Sequence, residues 1–223
     1  THTPEVITVS GTKTWDDNDN QDGVRPESII INLLANGEKV ATTEATEASN
    51  WTFEFKDQVV YANGEKITYT VEEVSVDGYT TKIEGFDVTN HHTPETVSYT
   101  VSKVWNDQNN NDRIRPENIT VRLLADGKEI AVQVIDEASN WTYSFTDLAK
   151  YRDGGIAINY EIVEDEVKGY TTTIEKSVSE VNTNTTNVVI TNTHENEKNE
   201  IAINKTWVDG NNESGKRPSS ITV

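Results

Sequence analysis

Cysteine is absent from this 223-residue chain. That excludes disulfides, thiolate metal sites and any cysteine-derived thioester, so a covalent staple would have to come from other chemistry. Hydrophobic residues are scarce at 34%. Small cores fit that share better than one extensive core, and the tryptophans and tyrosines supply the bulk. No apolar run reaches the roughly 18 residues of a membrane-spanning helix, so no membrane insertion is expected of this segment. The N-terminus has no charged region followed by an apolar stretch, so no signal peptide is read there. Basic residues are also short: 19 Lys and Arg stand against 38 Asp and Glu, for a formal charge of −19. Such a chain repels phosphates, which argues against nucleic acid as a partner. The sequence holds no Ser-His-Asp set, no Gly-rich phosphate loop and no inward pair of carboxylates. No conventional enzyme and no cofactor are expected.

What the chain does have is repetition. Residues 13–40, KTWDDNDNQDGVRPESIIINLLANGEKV, align without a gap to residues 103–130, KVWNDQNNNDRIRPENITVRLLADGKEI. Residues 205–223, KTWVDGNNESGKRPSSITV, begin the same text a third time. Trp15, Trp105 and Trp207 set repeat lengths of 90 and 102 residues, which suit whole domains rather than solenoid units. The organisation read from this is a module over 5–92 and another over 93–195. Residues 1–4 read as the tail of a preceding module and 196–223 as the opening of a third. The linkers between them are short and polar, so semi-rigid beads are expected.

The patterning is β almost throughout. Asn36-Gly37 and Asp126-Gly127 follow apolar runs and read as tight hairpin turns. Alternation over Trp51–Phe55 and Trp141–Phe145 reads as half-buried strands, and turn signals every 8–12 residues suggest a sandwich. A longer final hairpin is expected in the second module, from the extra residues 177–186.

The period-two rule then exposes an oddity. Ile7, Val9, Gly11, Lys13 and Trp15 share a strand face, as do Val97, Tyr99, Val101, Lys103 and Trp105. Ile201, Ile203, Lys205 and Trp207 alternate in the same way. By the same parity Tyr69 and Val71 bring Glu73 inward, and Tyr160 and Ile162 bring Glu164. Phe86 and Val88 bring in Asn90, and Val188 and Ile190 bring in Asn192. Parity alone leaves a second reading open, in which each lysine is an edge residue whose ammonium reaches solvent. If the groups are buried, they cannot stay charged and alone without a penalty of several kcal/mol, roughly. Burial pushes a lysine pKa down and a glutamate pKa up. A neutral amine is a nucleophile, and a protonated carboxyl can donate to the asparagine carbonyl. Attack, with loss of ammonia, would leave a Lys–Asn isopeptide bond.

The ordered set K-x-W, R-P, N/D-G, S-N-W-T, Y-x-[VI]-x-E, G-Y-T-T and [VI]-T-N resembles the Cna B-type domain. That repeat builds the stalks of Gram-positive surface adhesins, and it occurs in pilins. The resemblance covers essentially the whole chain. It implies tandem inverse-immunoglobulin β-sandwich modules, all-β, each closed by an intramolecular isopeptide bond. It places the bond-forming lysine at Lys13 and Lys103, the asparagine at Asn90 and Asn192, and the catalytic acid at Glu73 and Glu164. Lys205 matches the lysine position, with its glutamate and asparagine beyond residue 223. The first module departs in its short last hairpin and in V-T-N-H-H where the second has I-T-N-T-H.

The function expected from this likeness is a stalk segment, extracellular and cell-wall-anchored, that projects a ligand-binding head. Its partners would be neighbouring modules of the same chain, and a host matrix protein reached through a head domain elsewhere. The alternative is that the modules themselves bind a host matrix protein by strand addition. The acidic loops 16–23, 106–112 and 209–212 have a partial calcium-loop rhythm. The twelfth position is Ile29 rather than Glu, so they read as polar connections and no metal is assigned. The four histidines show no ligand spacing and read as solvated linker residues.

Overall fold

A computed structural model describes residues 3–223; of the tail expected at 1–4, residues 1 and 2 lie outside the described residues. The first repeat contains nine strands: β1 (Val6–Asp16), β2 (Ser28–Ala35), β3 (Glu38–Thr46), β4 (Thr52–Val59), β5 (Tyr61–Ala62), β6 (Glu65–Lys66), β7 (Tyr69–Glu73), β8 (Thr80–Glu84) and β9 (Asp87–His91). One sheet runs β4-β1-β9-β8, the other β3-β2-β7, and β5-β6 is a small hairpin. β1 and β9 pair in parallel, so the first and last strands of the repeat lie side by side. Val9, Phe53, Phe55 and Val88 from one sheet meet Ile29, Ile31, Leu33, Ala45 and Val71 from the other in one buried cluster. This is an all-β sandwich whose core sits between two layers.

The second repeat follows the same plan with β10 (Thr96–Asn106), β11 (Asn118–Ala125), β12 (Lys128–Asp136), β13 (Thr142–Ala149), β14 (Tyr151–Arg152), β15 (Ile156–Ala157), β16 (Tyr160–Glu164), β17 (Thr171–Val178) and β18 (Thr185–Thr193). Its sheets are β13-β10-β18-β17 and β12-β11-β16, with β14-β15 as the hairpin. The longer last hairpin is present, and it extends the parallel pairing to Ser98–Asn106 against Thr185–Thr193. In the first repeat that pairing covers only Lys13–Asp16 against Val88–His91. The two-residue turns Asn36-Gly37 and Asp126-Gly127 have positive φ at every position, the type I′ geometry that matches strand twist.

Gly11 accounts for part of the difference. A Cβ there would lie 2.1 Å from the Phe86 carbonyl oxygen and 2.7 Å from the Phe53 ring. Val101 occupies the matching place in the second repeat, fully buried. One repeat fills the space with two phenylalanines around a glycine, and the other fills it with valine and a longer strand.

Three expectations need correction. Ile7 is 43% exposed. The register shifts between Ile7 and Val9, opposite Asp57 at φ 58, and this bulge turns the strand's end away from the core. Trp51 and Trp141 precede their strands instead of starting them, in the left-handed region at φ 56, and Tyr143 is 38% exposed. Residues 201–208 form no strand, and Ile201 and Ile203 are exposed. Alternation there finds no partner strand against which to bury a face.

Replacing Gly11 with valine is expected to destabilise the first repeat by about 2 kcal/mol or more, because backbone and ring must both move. Denaturant unfolding followed on the first repeat's amides checks this. The transition of the second repeat should stay in place.

Candidate functional site

Lys13 and Asn90 reach the interlayer space from adjacent strands of one sheet, and Glu73 comes from the facing sheet, where it pairs in register with Ile31. The Lys13 and Glu73 side chains are 0% and 1% exposed, with Lys13 Nζ 3.6 Å from Glu73 Oε1. Asn90 is fully buried, and its Nδ2 donates to the same Oε1 at 3.1 Å. The second repeat brings Lys103, Glu164 and Asn192 together in the same way. Lys103 Nζ lies 3.0 Å from Glu164 Oε1, outside hydrogen-bond geometry, and Asn192 Nδ2 donates to Oε1 at 3.3 Å. Lys205 is exposed, with its Nζ 4.5 Å from the Trp207 ring centre.

Burial governs the lysines. Desolvation lowers the Lys13 pKa to about 8 against the opposing pull of Glu73. Lys103 is lowered by the same cause, with Glu164 opposing. The Lys13 amine therefore loses its proton more readily than an exposed lysine does. The Asn90 carbonyl oxygen is buried without a donor. That is a costly state, and it leaves the oxygen ready to accept a proton.

Several contacts escaped the sequence reading. Thr81 Oγ1 donates to Glu73 Oε2 at 2.6 Å, and Thr172 Oγ1 lies 2.9 Å from both Glu164 Oε2 and Asn192 Oδ1, its single hydrogen shared between them. Each carboxylate is thus aimed by the second threonine of Gly-Tyr-Thr-Thr. The tyrosine of that motif has a separate task. Tyr79 O–H donates to Asp17 Oδ2 at 2.8 Å, and Arg25 grips the same carboxylate through Nε at 3.0 Å and Nη2 at 2.6 Å. Tyr170, Asp107 and Arg115 repeat the arrangement. Trp15 stands between this clamp and the lysine, edge-on to Trp51 and Tyr79 at 5.1 and 4.9 Å, with Lys13 Nζ 4.0 Å from its ring centre. The exact recurrence of Gly-Tyr-Thr-Thr and of the aspartate eight residues before Arg-Pro was the available signal.

The acidic loops are connections of defined shape. Asn18, Asp19 and Asn20 sit successively at φ 53, 59 and 58, the left-handed region that Asn and Asp tolerate best. Asp17 Oδ1 caps the Asn20 N–H, and Asn20 Oδ1 caps the Arg25 N–H. The histidines also need correction. His92 and His194 are 13% and 16% exposed and bonded to Asp22 and Asp112. They are structural members of the junctions rather than solvated linker residues.

Two consecutive sandwiches, each with a lysine, a glutamate and an asparagine meeting between its sheets, define a class of tandem inverse-immunoglobulin repeat domains. The family model described as Cna protein B-type domain matches residues 9–91, 99–193 and 201–223. The chain belongs to that family, one of structural adhesin domains rather than of enzymes. It is 44% identical over 224 residues to a collagen adhesin of Staphylococcus aureus, covering 100% of this chain and 18% of that protein. The chain thus spans under a fifth of the relative's length. Among solved structures, a single B repeat unit of the S. aureus collagen binding surface protein Cna is 44% identical, with 85% of this chain and 99% of that chain covered and a TM-score of 0.40. Two B repeat units of the same protein give 44% identity, coverages of 87% and 51%, and a TM-score of 0.42.

The clamp makes an acid prediction. Burial pushes the Asp17 carboxyl upward, but Arg25, the Asn20 N–H and Tyr79 outweigh it and hold its pKa at about 2. Arg115 holds Asp107 low in the same way, against its burial. A carboxyl depressed on folding adds stability that is complete above its unfolded pKa of about 3.9 and is lost as pH falls through the folded value. Acid titration is therefore expected to free Trp15 from its box between about pH 4 and about pH 2, read as loss of near-ultraviolet circular dichroism.

Proposed function

We propose that this chain is a stalk segment of a Gram-positive cell-wall-anchored adhesin, with modules at 5–92 and 93–195, each closed by a Lys–Asn isopeptide bond. It would sit outside the cell and hold a ligand-binding head, located elsewhere in the parent protein, away from the wall. The head's ligand would be a host matrix protein, and the segment's own partners are its neighbouring modules. The observation that carries the reading is the convergence of Lys13, Glu73 and Asn90, repeated by Lys103, Glu164 and Asn192, in the buried space between sheets.

The chemistry follows from the placement. A neutral lysine Nζ attacks the asparagine Cγ. The glutamate, carrying a proton, donates to the amide oxygen once the amide turns that oxygen toward it, and then relays a proton from Nζ to the departing nitrogen. One C–N bond forms, one C–N bond breaks, and ammonia leaves. Glu73 and Glu164 end as they began, so the step is a single-turnover self-modification, and two costly buried groups become a neutral amide.

Closure spans 77 residue steps from Lys13 to Asn90 and 89 from Lys103 to Asn192. By the loop-entropy argument used for disulfides, each bond adds about 4–5 kcal/mol. The mechanical effect is larger. β1 and β9 are adjacent and parallel, as are β10 and β18. Tension entering through the first strand crosses to the last through a covalent amide, and the sheets between are not required to carry it.

Intact mass spectrometry is the test. The mass should fall short of the sequence mass by one ammonia for each of the two modules. Lys103→Ala and Glu164→Gln should each restore one, and a chain at full sequence mass would overturn the reading.

A further inference from the structure

The junction between the sandwiches holds a charge arrangement unrelated to the lysine pockets. Glu95 is pinned from both sides. Its N–H donates to Asp22 Oδ2 of the first repeat at 2.7 Å, while Lys150 of the second donates from its backbone N to the Glu95 carbonyl at 2.9 Å and from Nζ to its carboxylate at 2.7 Å. Gly155 N–H donates across the junction to the Gln21 carbonyl at 3.0 Å. Gly23 approaches so closely that a Cβ there would lie 2.3 Å from the Gly154 carbonyl oxygen. Arg113 holds the matching positive φ in the second repeat, so it is this approach, not the turn itself, that calls for glycine at 23.

His92 closes the joint. Its Nδ1 lies 2.8 Å from the Gly78 carbonyl oxygen and its Nε2 lies 3.0 Å from Asp22 Oδ2. A carbonyl oxygen only accepts, and so does an ionised carboxylate. A neutral imidazole has one N–H, so one of its nitrogens would face an oxygen lone pair to lone pair. The geometry is satisfied only if the His–Asp pair holds one more proton, which makes the ring an imidazolium. Among the described residues His92 is the sole ion-pair partner of Asp22, whose side chain is 1% exposed, and Asp22 Oδ1 is buried without a hydrogen bond. The next junction repeats the contacts of the histidine and of the linker N–H, around an Asp112 side chain that is 21% exposed. His194 Nδ1 is 2.8 Å from the Gly169 carbonyl and Nε2 is 3.0 Å from Asp112 Oδ2, and the same oxygen accepts from Glu197 N–H at 3.0 Å.

We propose that each junction is a proton-locked joint, in which doubly protonated His92 or His194 ties the Gly-Tyr turn of one module to the aspartate that also holds the linker into the next. While the proton stays, consecutive modules keep a fixed orientation. When it leaves, the linker loses its anchor and the rod gains a hinge at that point. The groups around His92 favour the cation: Asp22 faces it directly, Asp17 lies behind the Tyr79 ring at 5.4 Å, and the Glu95 carboxylate is engaged by Lys150. Around His194 stand Asp112 and, behind Tyr170 at 5.5 Å, Asp107, while Glu195 and Lys198 share the same cleft. Both histidine pKa values are raised, in each case first by the hydrogen bond to the aspartate. A histidine raised on folding contributes stability that is full below its unfolded pKa of about 6.5 and is lost as pH rises through the folded value. The joint should therefore be stiff in mild acid and looser in mild alkali. Its use in a rod rests on the stalk reading above, but the lock does not depend on the isopeptide bonds.

The test uses the whole chain, labelled at Glu44→Cys and Glu175→Cys, one exposed site in each repeat, without competing native cysteines. Imidazole nitrogen spectra and the inter-label distance distribution are recorded from about pH 5 to about pH 9. The expected result is that His92 and His194 titrate above the ordinary value of about 6.5, with both ring nitrogens protonated below the midpoint. The distance distribution should broaden over the same interval as His92. Asp22→Asn should lower the His92 midpoint by about one unit, leave His194 in place and move the broadening with it. Midpoints at or below the ordinary value, or a distribution indifferent to pH, would overturn the lock. Intact mass on the same samples keeps this outcome separate from that of the bonds.

Discussion

Glu73 and Glu164 each hold a carboxyl group in a space closed to bulk solvent, facing a lysine and an asparagine from the opposite sheet. Several features of a module bear on that meeting. The parallel pairing of first and last strands brings the lysine and asparagine to one place, and the facing sheet delivers the carboxylate across the core. A threonine aims it, and a tryptophan walls the lysine off from the clamp that ties the following loop. An arrangement of this kind is expensive as separate side chains and becomes cheap once a neutral amide replaces them.

The same sequence motifs therefore do work at two scales. Gly-Tyr-Thr-Thr is a short text, yet its glycine carbonyl receives the junction histidine, its tyrosine holds the aspartate clamp, and its last threonine orients the buried acid. The clamp, the pocket and the joint are thus mechanically adjacent. The proposed rod would draw stiffness from each level: covalent closure within a bead, an ion pair beside the tryptophan, and a histidine–aspartate pair that holds the linker into the next bead.

The two repeats show how much variation this plan absorbs. The second continues its parallel first–last pairing along nine residue pairs, whereas the first keeps four. The shorter repeat compensates with Gly11, against which Phe86 and Phe53 close. The lysine, acid and asparagine keep their places in both, because they lie at the end of the pairing that the two repeats share.

Much of this was legible in the residues alone. Repetition pointed to two like sandwiches, the Asn-Gly and Asp-Gly turns fell where expected, and period-two parity pointed Lys13, Glu73, Asn90 and their counterparts inward, because side-chain direction in a strand is a local property. The aspartate clamp is local too: Asp209 and Arg217 form it in a segment with no strand around it, eight residues apart like Asp17 and Arg25. Other features had no local cause. Ile7 obeyed the parity rule but is turned out by a bulge that belongs to its partner strand, and Ile201 and Ile203 alternate without a sheet to receive them. The junction histidines looked like solvated linker because their partners, Asp22 and Asp112, lie 70 and 82 residues away. Sequence by itself determined which way each side chain points from its strand and which loops close on themselves. Only the tertiary structure decided which strands lie side by side, what two distant polar groups face across a dry gap, and hence where a proton must sit.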